Sequence, residues 1–383
     1  METRQVLLTN PAAAGTGMGP LVQMNPALVL VFGALPFFES PGVFDELRRQ
    51  CPQAAIAGCS TAGEIRGSQV HDGACVITAV AFDRATARVE ATRLVSMADS
   101  FAAGGRLAEA LPKEGLGAVL VLGTGVRING SALVRGLQSG LPPAVTISGG
   151  LAADAGAFER TWTMGPLGCA DDQIVAIGLY GDSLRLSYGS FAGWVPFGPA
   201  RKVTRCADNV LYELDGERAL DIYKRYLGEH AARLPASGLL FPFEMLSERQ
   251  EKRGIFRTIL GVDETEGSLT LAGDIDPNGY LKLMHSNTER LIDGAETAAQ
   301  SALEAMGTPP EKALALLISC VGRKLVMGDR VDEEVEAVAE LFGKTTTVAG
   351  FYSNGEIAGT GFLGECHLHN QTMTITWIAE DVP

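Results

Sequence analysis

Short, almost continuously apolar runs recur in pairs along this chain. Ala27–Leu35 and Ala54–Cys59, Leu116–Gly123 and Ala144–Ser148, and Ala313–Ser319 and Thr345–Ala349 predict strands buried on both faces. Between the members of each pair the apolar residues shift to helical spacing, over Val43–Gln50, Ser131–Ser139 and Val331–Leu341. Each pair then enters a glycine-bracketed turn that carries an acid, followed by another strand. The turns are Gly58-Cys59-Ser60-Thr61-Ala62-Gly63-Glu64-Ile65, Gly149-Gly150-Leu151-Ala152-Ala153-Asp154 and Gly350-Phe351-Tyr352-Ser353-Asn354-Gly355-Glu356-Ile357. Three passages of strand, helix, strand, turn and strand make an internal repeat. The first and last turns share a serine ahead of Gly-Glu-Ile, and their duplication predicts that they face one site.

The remaining pattern fills in the connections. Ala74–Phe82 and Thr86–Val95 read as a hairpin turning at Asp83-Arg84, and Ser100–Leu111 as a helix closed by Pro112. Strands are expected near Phe158–Met164, Gln173–Tyr180 and Leu184–Ser190, and a join falls around Gly193–Arg205. Beyond it come a helix at Arg218–Leu227 and strands at Phe256–Val262, Ser268–Gly273 and Tyr280–His285. A long helix follows at Thr288–Met306, with Leu291, Ile292, Ala295, Ala298, Ala299 and Ala302 at helical spacing. Consecutive strands without intervening helices require antiparallel pairs, so the reading is a mixed-sheet α/β protein in two domains. The boundaries expected are a flexible N-terminus over 1–25 and two α/β domains over 26–192 and 193–383.

Composition narrows the function classes. The 383 residues carry a formal charge of −14 and no Lys/Arg-rich tract, which disfavours nucleic-acid and anionic-membrane surfaces. No apolar run reaches the length of a membrane span, and the first 20 residues lack the order of a signal peptide, so a cytoplasmic protein is expected. Seven scattered cysteines with no Cys-x-x-Cys predict reduced, buried side chains in place of disulfides or a zinc site.

Several stretches could carry chemistry. The glycine turns can offer backbone N–H groups to a ligand carboxylate, with Glu64 or Glu356 available to an ammonium group; the alternative is an acid that caps its own turn. Gly58-Cys59-Ser60 suggests a nucleophile elbow, but the second glycine comes too late, at Gly63, and five histidines leave few bases. Gly123-Thr124-Gly125 is followed by glycine only at Gly130, so a dinucleotide fingerprint fails. Cys366-His367-Leu368-His369-Asn370 is the densest cluster of potential ligands, suited to a metal or to an axial haem histidine. Arg323, directly after a buried strand, is placed either to clamp a carboxylate or to form a surface ion pair.

Taken together, these motifs resemble the FIST proteins, a prokaryotic intracellular sensory family. The resemblance rests on Gly58–Ile65, Gly149–Asp154, Gly193-Trp194-Val195-Pro196-Phe197-Gly198, Ser319-Cys320-Val321-Gly322-Arg323, Gly350–Ile357 and His369-Asn370-Gln371-Thr372, in that order over most of the chain. It implies paired FIST N and FIST C units that sense a small ligand, with amino acids the proposed class. It also implies regulation of a separate histidine kinase or cyclic-dinucleotide enzyme. Some stand-alone members look like haem proteins that sense nitric oxide, which makes haem b a candidate cofactor and His369, then His230, its candidate ligands. The ligand-contact set implied is Ser60, Thr61, Glu64, Gly149, Gly150, Asp154, Arg323, Tyr352, Ser353, Glu356 and Asn370, in a non-catalytic sensor. A homodimer is compatible with this reading, and a hydrolase or metal enzyme using Ser60 or the Cys366–His369 cluster is the alternative of another class.

Overall fold

A computed structural model describes residues 1–39, 42–359 and 365–381 of the chain. The three repeats appear as three βαβ units with parallel strands. In the first, Leu28–Gly33 and Ala55–Ser60 flank the helix Gly42–Gln50. In the second, Leu116–Gly123 and Thr146–Leu151 flank the helix Gly130–Gly140. In the third, Ala313–Cys320 and Thr346–Ser353 flank a segment that includes the helix Asp332–Phe342. All six strands are buried on both faces, which explains why their sequences are near-continuous apolar runs without alternation.

Each parallel pair is the centre of a six-stranded mixed sheet completed by strands from the other units. The hairpin after the first turn, Glu64–Arg66 and Gln69–His71, adds to the third unit's sheet, where Glu64 pairs with Phe351. The hairpin after the second turn, Thr163–Gly165 and Gly168–Ala170, adds to the first unit's sheet. That of the third, Gly355–Gly359 and Cys366–His369, adds to the second unit's sheet. The exchange is cyclic.

Two expectations change here. Cys75–Ala81 and Thr86–Arg93 are strands, but they are not a hairpin pair. The former lies between Glu2–Leu8 and Leu28–Gly33, while the latter crosses to the second unit's sheet and pairs with Gln173–Tyr180. The N-terminal 25 residues are also ordered: Glu2–Leu8 is a seven-residue strand, and short helical turns at Ala14–Gly17 and Gly19–Val22 bury Met18 and Leu21 under it. An apolar residue every second position or so, Val6 and Leu8 among them, gives that segment a face to bury.

The inner faces of the three sheets meet in one central core built from Leu30, Phe32, Leu120, Leu122, Leu316, Ile318 and Phe351. Phe32 and Phe351 stack there at 4.7 Å between centroids. Helices cover the outer faces. Ser100–Ala110 and Gly130–Gly140 pack on the second sheet, Thr288–Met306 and Asp332–Phe342 on the third. Strands run across the join expected near 193, since Leu184–Phe191 pairs with Met373–Glu380 and Thr146–Leu151 with Gly355–Ile357. Between Val195 and His285 a separate eight-stranded sheet, with the helix Ala219–Leu227 packed on it, has a core of its own.

Candidate functional site

The three turns meet at the centre of the molecule. Gly58, Gly149 and Gly350 occupy equivalent places, opposite Val31, Val121 and Leu317 of the neighbouring parallel strands. Two residues further on, the carbonyls of Ser60, Leu151 and Tyr352 accept the amides of Ala153, Asn354 and Ala62, at 2.8, 3.1 and 2.9 Å. Each turn therefore bonds to the next and the third returns to the first, a closed ring of backbone hydrogen bonds. The turns come together as a backbone ring and not around an open ligand pocket.

Their acids point back into their own turns. Glu64 accepts from the Thr61 hydroxyl at 2.5 Å and from the Ala74 amide at 3.1 Å. Glu356 accepts from the Ser353 hydroxyl at 2.6 Å and from the amide and hydroxyl of Thr372 at 3.1 and 2.9 Å. Asp154 accepts from the amides of Phe158, Glu159 and Arg160. Both glutamates are almost fully buried, and burial pushes each carboxyl up to about 7 against the pull of its hydrogen bonds. These acids cap turns, as such residues commonly do. Gly149 and Gly150 are enclosed in the same centre.

Arg323 is a buried ion-pair partner. It is fully buried and donates from Nε and Nη2 to Glu334 Oε2, at 3.2 and 2.7 Å, and further to the carbonyls of Ala192 and Leu291. The Tyr352 hydroxyl and Ser319 hydroxyl donate to the other Glu334 oxygen. Neither of the alternatives weighed for Arg323, an open carboxylate clamp or a surface ion pair, describes this site. Ser60 is likewise enclosed, its hydroxyl accepting from the Trp162 amide at 2.9 Å, so it does not stand as an accessible nucleophile. Asn370 is 1% exposed.

His369 is buried too, with Nε2 3.2 Å from the Ala358 carbonyl, and burial next to Arg257 pushes its pKa down to about 4. It borders a cavity of about 310 Å³ whose walls include the hydroxyl residues Ser148, Tyr188, Ser190, Ser301, Thr374 and Thr376. Nδ1 has no hydrogen-bond partner among the described residues, but these surroundings do not fit a haem, because the space is at the small end of ligand pockets, roughly 300–1,000 Å³. His230 is half-buried against Phe241, its Nδ1 facing the Arg233 guanidinium at 2.9 Å. Among the described residues no group of three His, Cys, Asp or Glu converges to hold a metal.

The larger cavity, about 750 Å³, lies elsewhere. One wall is the loop Gly125–Asn129 with the start of the helix Gly130–Gly140. A second is Gly156–Glu159, just past the second turn. Asn354 of the third turn and Leu368 add to these, and the eight-stranded sheet closes the other side with Leu234, Ile259, Leu260 and Leu271. Two non-glycine residues of its lining, Arg127 and Phe158, hold left-handed backbone at φ 58° and 57°, a strained conformation that often accompanies binding sites. None of the ligand-contact residues expected from the sequence lines this cavity. It touches the motifs only at Leu151, Asn354 and Leu368. The signal that could have located it is positional: Gly125–Asn129 follows the carboxyl end of a parallel strand, where open α/β sheets bind ligands.

The family models match this chain almost end to end, the FIST N domain over residues 27–217 and the FIST C domain over 219–359. The chain belongs to the FIST family. FIST domains are in general small-ligand-sensing domains. The two matches divide the chain within the eight-stranded sheet, so FIST N and FIST C here share strands on both sides of that division. A search of curated proteins gives no match. Among solved structures, a cyanuric acid hydrolase from A. caulinodans is similar over 100% of this chain and 99% of its own, with 9% identity and a TM-score of 0.42, which carries no argument about activity. Among the described residues no helix is long and apolar enough to cross a membrane.

Proposed function

We propose that this FIST protein is a non-catalytic sensor that binds a small organic molecule, of the size of an amino acid or a related small carboxylate, in the 750 Å³ cavity. The observation that carries this reading is where the cavity lies. It is walled by the second and third turns on one side and by the separately cored eight-stranded sheet on the other. A ligand held there contacts two packed bodies at once, so its binding free energy differs between arrangements of the two, which is what a sensor requires. The output is then read by a partner protein, a histidine kinase or a cyclic-dinucleotide enzyme. Haem is not part of this proposal, because the surroundings of His369 do not fit it.

The test is a thermal-shift screen of amino acids and small carboxylates on the full chain. Compounds that bind are expected to raise Tm by several degrees when at about 100 times Kd, equivalent to about 2.7 kcal/mol. The Ala272→Trp variant, which narrows the cavity, should fold cooperatively and lose the shift. A hit that protects Ala272→Trp as well as the parent would put the ligand site somewhere else.

A further inference from the structure

This inference rests on the reading that the 750 Å³ cavity is the ligand site, and it concerns one end of that cavity. There the loop Gly125–Asn129 runs into the helix Gly130–Gly140. Asn129 caps the helix, its Oδ1 accepting the Ala132 amide at 2.9 Å and its carbonyl the Leu133 amide at 3.0 Å. The amides of Gly130 and Ser131 are left without a protein acceptor, and with the helix dipole they favour an anion.

The side chains around this helix end point the same way. Asn354, 8% exposed and part of the cavity wall, has an Oδ1 with no partner, and its Nδ2 reaches only the Gly125 carbonyl at 3.4 Å. With Nδ2 on that carbonyl, Oδ1 is left to accept from a donor group of the ligand. The Ser131 hydroxyl, 8% exposed, is also unpartnered. Arg257 is only 4% exposed, yet its guanidinium donates to three carbonyls, those of Asp274, Phe256 and Leu368, and to no carboxylate.

Arg257 stands directly behind the wall. A Cβ placed on Gly273, a cavity residue, would be 2.9 Å from Arg257 Nε and 3.1 Å from Ser131 Oγ. The nearby acid, Asp274, has both oxygens engaged, by Asn129 Nδ2 at 3.0 Å and Arg135 Nη1 at 2.7 Å. At the mouth Arg127 is exposed and makes no hydrogen bond or ion pair among the described residues. In a chain of net charge −14, Arg127 and Arg257 give this end a positive potential, while Glu159 of the second wall is the acid in the lining.

We infer that this end of the cavity is an anion subsite. The first amides of the helix and Arg127 contact the carboxylate of a ligand with an apolar body, Asn354 Oδ1 faces a donor group beside it, and Arg257 adds positive potential from behind the wall. A single contacting guanidinium suits a monoanion better than a phosphate. The apolar residues Leu151, Phe158, Ile259 and Leu271 receive the body.

The experiment uses the full chain with matched pairs, hexanoate against hexanamide and phenylacetate against phenylacetamide, and inorganic phosphate as a third probe. Binding is followed by calorimetry and by the methyl resonance of Met97, which lines the cavity. The acids are expected to move that resonance and to bind at least about tenfold more tightly than their amides. Arg127→Ala, at an exposed position, should erase most of that preference by weakening the acids far more than the amides. Arg257→Met should weaken the acids without a change in which methyl moves. Acids and amides of equal affinity, or a preference that survives Arg127→Ala, would overturn the subsite and leave the cavity reading standing. Phosphate binding more tightly than either acid would overturn the carboxylate assignment. If no probe moves Met97, the failure lies with the cavity as a ligand site, and the subsite falls with it.

Discussion

Glu64 and Glu356 each sit in a shell of donors, a hydroxyl from their own turn and groups of Ala74 or Thr372 from beyond it, and both are almost fully removed from water. Burial dominates, so their carboxyls titrate near 7 in the folded chain, against an ordinary value of 4.5. An acid whose folded pKa is raised binds more protons folded than unfolded between those two values. Stability should therefore fall as pH rises from about 4.5 to 7 and level off above, by on the order of 3 kcal/mol for each acid. Glu64→Gln and Glu356→Gln remove the titrating group. Their urea-unfolding free energies should vary less over that window than the parent's, and identical slopes would show that these carboxyls ionise normally in the fold. Arg323 illustrates the same inward turn of polar residues. Its charge is matched by Glu334 within the core, where breaking such a pair is costly.

Among the elements, the parallel strand pairs depend on a glycine at one equivalent position. A Cβ on Gly58, Gly149 or Gly350 would lie 2.2, 2.0 or 1.8 Å from the carbonyl oxygen of Val31, Val121 or Leu317, and Gly149 and Gly350 also hold φ of 144° and 155°. No flexible side chain is there to yield, since the obstacle is the backbone of the adjoining strand. Alanine at any of the three should cost more than about 2 kcal/mol, through clash and backbone strain together. Gly67→Ala and Gly105→Ala serve as contrasts of different kinds. Gly105 meets no atom within 4 Å, while Gly67 has open space but a positive φ of 61°. Gly105→Ala, inside the helix Ser100–Ala110, should raise the urea midpoint slightly, and Gly67→Ala should lower it only by the cost of its backbone conformation. A Gly350→Ala variant as stable as Gly105→Ala would contradict the close approach of the strands.

On the scale of the whole molecule, the exchange of hairpins and outer strands binds the halves of the chain together. Residues 64–71 complete the third sheet, and Gly355–Gly359 with Cys366–His369 complete the second, so either half alone exposes unpaired strand edges. Chains 1–192 and 193–383 made separately should fail to give cooperative unfolding and should aggregate, while co-expression should restore a complex with the parent's circular dichroism. Independent, cooperative unfolding of both halves would contradict the cyclic exchange.

Much of this architecture was legible in the sequence, because strands covered on both faces must be apolar throughout and helices covered on one face must repeat every three or four residues. The three βαβ units, the long helix at Thr288–Met306 and the three glycine-and-acid turns all follow from such local constraints. What pairs with what is a different matter. Cys75–Ala81 and Thr86–Arg93 have the pattern of a hairpin, and only long-range contacts send them to different sheets. The candidate site divides in the same way. A buried acid in a turn and a ligand-binding acid have the same local sequence, as do a guanidinium facing a carboxylate and one facing only carbonyls. The sequence by itself determined the units and their turns, since those rest on contacts within a few tens of residues. Tertiary structure alone decided which charges are already satisfied, and so where a ligand can still be bound, because that depends on partners brought in from distant parts of the chain.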